Sequence, residues 1–203
     1  MRSHGAIGFV LLAASATALA GDGIADTFTT LVSANGTIRA PDDVRGRWVH
    51  LGSWLVSDPQ APGYGFHDVY TQADAAAEFR RGGRFPDGTV LVKEIRAIGR
   101  QALSTGQADY ASAIKLRFVM VKDAKRRFPG HRDWADGWGW ALFDAKSPQA
   151  NISQGYQVSC QNCHLPAKAT DGVYLQAYPT LSAPGTETAG PGSTQRPPES
   201  AHK

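Results

Sequence analysis

Cys160-Gln161-Asn162-Cys163-His164 holds the only two cysteines of the chain, three positions apart with a histidine directly behind. On a helix, positions i, i+3 and i+4 share one face. Two thiols in this arrangement can reach the two vinyl groups of one porphyrin while the imidazole reaches its iron. The spacing therefore reads as a c-type haem attachment site carrying one covalent haem c. A local disulfide or a redox-active Cys-x-x-Cys pair is the alternative. A redox pair is expected beside a βαβ unit, whereas this motif lies late in the chain and is followed at once by His164. The fold must then place an apolar pocket against this short segment.

The N-terminus points to export. Arg2 supplies a basic start, Ala6 to Ala18 is a mostly apolar run, and Ala18-Leu19-Ala20 ends it with a small-x-small site. The run is too short to span a bilayer and reads as a secretory signal peptide over residues 1–20. A periplasmic location follows, in keeping with covalent haem attachment outside the cytoplasm. No later segment is long and apolar enough to suggest a membrane span. Removing Arg2 with the leader lowers the formal charge from +3 to +2. That charge is too small to argue for nucleic acid, and without a basic run no nucleic-acid partner is expected. Residues 21–40 read as a flexible N-terminal segment, 41–181 as the haem domain, and 182–203 as a disordered tail rich in Pro, Gly and Ser.

Within the domain the hydrophobic pattern is mainly that of strands. Arg47 to Val56, Phe66 to Tyr70, Thr89 to Ala97, Ile114 to Val121 and Gly137 to Phe143 are the predicted strands. Thr71 is positioned to cap a helix over 72–81, closed by Gly82-Gly83. Residues 103–107 read as loop, and 152–164 as a helix ending in the cysteine motif. Strands first, one early helix and a late helix predict an α+β fold. Its mostly antiparallel sheet has flanking helices, and the haem packs against the sheet.

Several residues stand out on these elements. Lys93 lies between Leu91 and Ile95 on one strand face. It marks either a sheet edge or a residue aimed at a buried site, where a desolvated amine becomes nucleophilic. Trp138, Trp140 and Leu142 form a bulky face opposite Gly139, Ala141 and Phe143. The small-residue side suggests a hollow for a flat macrocycle, or simply a tryptophan-rich core. His164 is the expected proximal iron ligand. Met120, His50, His67 and His131 are candidates for the sixth position, but no loop methionine of the electron-carrier kind is evident. An open sixth site is the leading expectation.

Five stretches together resemble the cytochrome P-460 family, to whose structural group cytochrome c′-beta also belongs. They are Trp48 to Trp54, Phe66 to Thr71, Phe85 to Arg96, Asp136 to Phe143 and Cys160 to His164. The resemblance implies a homodimer with haem at Cys160 and Cys163 and His164 as axial ligand. Lys93 matches the lysine that cytochromes P-460 bond to the haem, which implies a catalytic and cofactor-binding role for it. Hydroxylamine or NO would be the small ligand, and another cytochrome the redox partner. Hydroxylamine-oxidising members carry a distal carboxylate, expected here near Ala141, yet no Asp or Glu lies between Asp136 and Asp144. The resemblance thus leaves two readings: a hydroxylamine or NO oxidoreductase, and an NO-binding protein without catalysis. A simple electron carrier is the weaker third.

Overall fold

The computed structural model describes residues 23–182. The segment read as a signal peptide and the tail beyond Ser182 lie outside the described residues. Helices α1 (Ile24–Leu31) and α2 (Val44–Arg47) precede β1 (Val49–Val56) and β2 (Gly65–Thr71). Then follow α3 (Ala73–Gly82), β3 (Val90–Leu103), β4 (Gly106–Lys122), β5 (Trp134–Ala135) and β6 (Trp138–Asp144). Two one-turn helices, α4 (Tyr156–Ser159) and α5 (Gln161–His164), lead into 3-10 turns that end at Leu181. The strands form one sheet in the order β1-β2-β3-β4-β6-β5. Every pairing is antiparallel. The α+β expectation holds.

Both faces of the sheet are covered, because both carry apolar side chains. Leu51, Val69, Leu91, Met120, Trp138 and Trp140 point to the first face. There they pack with Phe79 and Phe85 and with Tyr156, Cys160, Val173 and Tyr178 of the C-terminal segment. Tyr70, Val90, Val92, Val119, Val121, Ala141 and Phe143 point to the second face. They meet Leu31, Val32, Ile38, Ala40 and Val44. Each large apolar side chain so buried stabilises the fold by about 1.5–3 kcal/mol.

Five sequence expectations change. Of the segment 21–40 read as flexible, Ile24–Leu31 is helical and Leu31, Val32, Ile38 and Ala40 are core residues. Its periodic apolar side chains find a surface on the sheet, which a linker reading ignores. Gln72, not Thr71, holds the N-cap position of α3. Thr71 is spent on the sheet, donating to the Val90 carbonyl at 2.8 Å. Residues 103–107 are no loop: β3 and β4 continue outward as a ribbon that turns between Leu103 and Gly106. The helix expected over 152–164 is broken into α4 and α5. The chain entering it is tied to the sheet, with Ile152 N–H donating to Leu142 O at 2.8 Å, and Gly155 takes φ 94°.

The hollow expected beside Gly139 and Ala141 is filled. A Cβ on Gly139 would lie 2.7 Å from the Trp134 ring and 2.8 Å from Ile38. Glycine there admits the indole, and the small-residue face of β6 belongs to the second core. The cavity described below opens on the other, aromatic face. Gly52 serves similarly on β1. A Cβ there would stand 1.8 Å from the Ala177 carbonyl oxygen, so only glycine lets the C-terminal segment lie on the strand.

Glu94 anchors the second face beside β3. It is 1% exposed, accepts from Arg96 Nη1 at 2.6 Å and from Arg117 Nη2 at 2.8 Å. Removing one member of such a cluster strands the other charges without water. Glu94→Ala is expected to lower stability by about 3–5 kcal/mol, read as a shifted urea midpoint at unchanged slope.

Candidate functional site

The cysteine motif rests on a scaffold of side-chain hydrogen bonds rather than on a long helix. Buried Asp133 accepts from Ser153 Oγ at 3.0 Å and from Asn151 Nδ2 at 3.2 Å. Tyr156 N–H donates to Arg132 O at 2.9 Å, and Tyr156 Oη–H donates to Asp136 Oδ2 at 2.6 Å. These ties hold one turn of helix against the sheet, and the cysteines follow. Cys160 faces inward and is buried, whereas Cys163 is exposed; both thiols are free. Burial pushes the Cys160 thiol up to about 11, which keeps it protonated at neutral pH.

His164 is oriented for coordination. Its Nδ1–H donates to the Gly172 carbonyl at 2.7 Å, so the Nε2 lone pair is left for a metal. Burial lowers its pKa and favours the neutral ligand form, against the opposing Gly172 bond. The ring meets Trp140 edge-on, with centroids 4.6 Å apart. The turn that presents Gly172 is fastened from several sides. Asp171 takes φ 60°. Its carbonyl accepts from Trp138 Nε1 at 3.0 Å, and its carboxylate pairs with Lys122 and accepts from Phe85 N–H at 3.3 Å.

Two cavities reach His164. A larger cleft of about 820 Å³, lined by Arg84, Lys122, Lys168, Phe85, Trp138 and Trp140 among others, touches neither thiol nor Lys93. The smaller, about 320 Å³, lies between the cysteine segment and the first face of the sheet. Both cysteines and His164 line it, as do Trp54, His67, Lys93, Phe118, Met120 and Trp140. Only this second space brings both thiols, His164 and Lys93 together. Its walls are aromatic and aliphatic, with two thiols and one imidazole nitrogen at one side. Among the described residues no group of three or more His, Cys, Asp or Glu side chains forms a metal site. A single imidazole nitrogen suits a metal whose equatorial ligands come from a macrocycle, and the donor set fits a haem.

Lys93 sits on the cavity face of the sheet. The register places it in one row with Val69 and Phe118. Its ammonium lies 4.5 Å from the Phe118 ring centroid. Burial lowers its pKa, partly opposed by the nearby cysteines. A desolvated amine with aromatic rather than ionic company holds its proton weakly.

The other sequence candidates divide. His50 is exposed and bonded to Ser53 Oγ at 3.0 Å. His131 accepts at Nδ1 from Asp133 N–H at 3.1 Å. Neither lines the cavity, while Met120 and His67 do. Ala141 was the expected place of a distal carboxylate, but its side chain joins the second core. Alternation sends Trp140 and Leu142 to the site face instead. No carboxylate lines the cavity from any element. The roles of Gly172 and Asp171 were missed. The glycine after an Asp is a turn signal, yet nothing local says that its carbonyl meets an imidazole eight residues back.

No curated protein matches this chain. The family model described as cytochrome P460 matches residues 41–175, more than half of the sequence. That range takes in the whole sheet, Lys93 and the cysteine–histidine segment. The chain therefore belongs to the cytochrome P460 family, whose cofactor is haem.

Proposed function

We propose that this cytochrome is a periplasmic, single-haem c protein that works on a small nitrogen ligand, hydroxylamine or NO. Cys160 and Cys163 would carry the haem through thioether bonds, and His164 Nε2 would hold its iron. When bound there, the haem would supply a redox-active iron. Lys93 would add a further bond to the macrocycle. The carrying observation is that both thiols, the carbonyl-oriented imidazole and a half-buried amine that lies over the Phe118 ring share one cavity.

The chain's own residues set the conditions there. Trp54, Phe118, Met120 and Trp140 exclude bulk water. Desolvation keeps His164 and Lys93 inclined to their neutral forms. An NO-binding protein without catalysis is the second reading, favoured by the carboxylate-free lining. Oxidation of hydroxylamine must dispose of protons, whereas NO binding needs no base. Export follows from the leader-like sequence of residues 1–20. Among the described residues no helix is long and apolar enough to cross a membrane. Electrons would pass to or from another cytochrome.

A homodimer is part of this proposal. The β3–β4 ribbon runs past its sheet neighbours: β2 pairs only as far as Arg96 and β6 only from Leu116. Its outer part exposes Leu103 and Tyr110. Light scattering is expected to give a dimer for the secreted protein and a monomer for Leu103→Asp combined with Tyr110→Asp.

The decisive measurement is haem-peptide mapping joined to the absorption spectrum of the reduced protein. A haem peptide that contains the Lys93 segment beside Cys160–His164, with a strongly red-shifted Soret band, is expected. Lys93→Leu should return an ordinary c-type spectrum. Anaerobic hydroxylamine with an artificial oxidant then separates the readings: turnover supports the enzyme, while NO binding without turnover supports the binding protein.

A further inference from the structure

The carbonyl that orients His164 belongs to a turn in an unfavourable backbone conformation. Asp171 takes φ 60° and ψ 29°, and Gly172 follows at φ 78°. The left-handed region is uncommon for a residue that carries a side chain. Two such residues in succession keep one shape when contacts around them over-determine it. The segment itself supplies one tie at this point, from Gly172 N–H to Ala167 O at 2.9 Å.

The other ties come from three distant elements and meet at Asp171. Lys122, the last residue of β4, donates to the Asp171 carboxylate; the two side chains are 12% and 8% exposed. Phe85 N–H, in the turn between α3 and β3, donates to Asp171 Oδ2 at 3.3 Å. Trp138 Nε1–H, at the start of β6, donates to the Asp171 carbonyl at 3.0 Å. The Lys122 ammonium also lies 4.6 Å from the Trp138 ring centroid, so cation and indole hold one another in place. One residue further on, the Gly172 carbonyl receives His164 Nδ1–H at 2.7 Å.

The bond at Nδ1 governs what the ring does at Nε2. A firmly placed acceptor at Nδ1 makes the imidazole a stronger donor to a metal, which favours the more highly charged state of that metal. Lys122 and Asp171 carry opposite charges in contact, so their fields largely cancel at a distance. Neither lines the cavity that holds the cysteines. The pair therefore reaches the iron site through the place of the Gly172 carbonyl, not through its charge.

We propose that Lys122 and Asp171 are positioning residues for His164: together with Trp138 they fix the Gly172 carbonyl on Nδ1, and so lower the potential of the iron that His164 holds. This rests on the haem reading above and deepens it. It gives the end of β4 and the start of β6 a part in tuning the site although the Lys122–Asp171 pair lies outside the cysteine cavity.

The test uses purified holoprotein: wild type, the double variant Lys122→Met with Asp171→Asn, and Trp138→Phe. Neither variant changes the net charge, so a simple field effect is removed from the comparison. Asparagine tolerates the left-handed backbone and still accepts from Phe85 N–H. Phenylalanine keeps a ring at 138 without the indole donor. Two quantities are read. One is the ferrous-to-ferric ratio at a fixed applied potential. The other is the hydrogen-exchange rate of His164 Nδ1–H, followed by NMR in the diamagnetic ferrous carbon monoxide complex. In each variant the ratio is expected to rise about tenfold, which is about 59 mV for a one-electron couple. Exchange at Nδ1 should quicken about tenfold as well. A ratio that stays the same or falls in either folded variant overturns the proposal. So does a raised ratio with unchanged exchange, because the carbonyl has then not moved. If the double variant does not fold around haem, Trp138→Phe decides by the same two readings. Wild type that carries no covalent haem overturns the haem reading itself.

Discussion

A slip of β3 by one residue against its neighbours would exchange Lys93 with Glu94. The amine would leave the cavity, and a carboxylate would enter it. Side chains alternate with a period of two, so register decides which charge each face receives. Here the register is held from the second face. Glu94 lies between Arg96 on its own strand and Arg117 on β4, in a place where an unpaired charge costs several kcal/mol. The presence of an amine rather than a carboxylate in the site therefore depends on an ion cluster on the opposite side of the sheet.

That cavity is rich in nitrogen and free of carboxylate. Lys93, His67 and His164 all line it, and burial lowers the pKa of each. The three reinforce one another, since a proton on Lys93 disfavours one on either imidazole. The result is a space of neutral lone pairs rather than of fixed charges. His164 Nε2 is directed by the Gly172 carbonyl and His67 Nδ1 by the Gly63 carbonyl. In both rings a backbone oxygen accepts a hydrogen bond from one N–H and leaves the other nitrogen bare.

Helix propensity contributes little to the placement of the cysteines. The segment holds only two single turns of α-helix, each too short to be stable alone. It is held by Asp133, Asp136 and Asp171, each bound to a side chain or amide from another part of the chain. The longer helix expected from the sequence fails because residues 151–155 hydrogen-bond to the sheet and to Asp133, which tertiary contacts alone provide.

The sequence by itself determined the cysteine–histidine spacing and the alternation that makes Ile114 to Val121 a two-faced strand. These are local: a spacing of three and four residues, and a period of two. It also marked Lys93 as unusual and showed that no Asp or Glu lies between Asp136 and Asp144. Only the tertiary structure decided which face of each strand meets the cysteines. Both faces of this sheet are apolar, so alternation alone could not tell the Trp140 side from the Ala141 side. That choice put Lys93, Met120 and His67 in the cavity, left His50 and His131 outside, and filled the supposed hollow at Gly139 with Trp134. The reason is physical: a strand's own sequence records that it has two faces, but what covers each face is contributed by chain a hundred residues away.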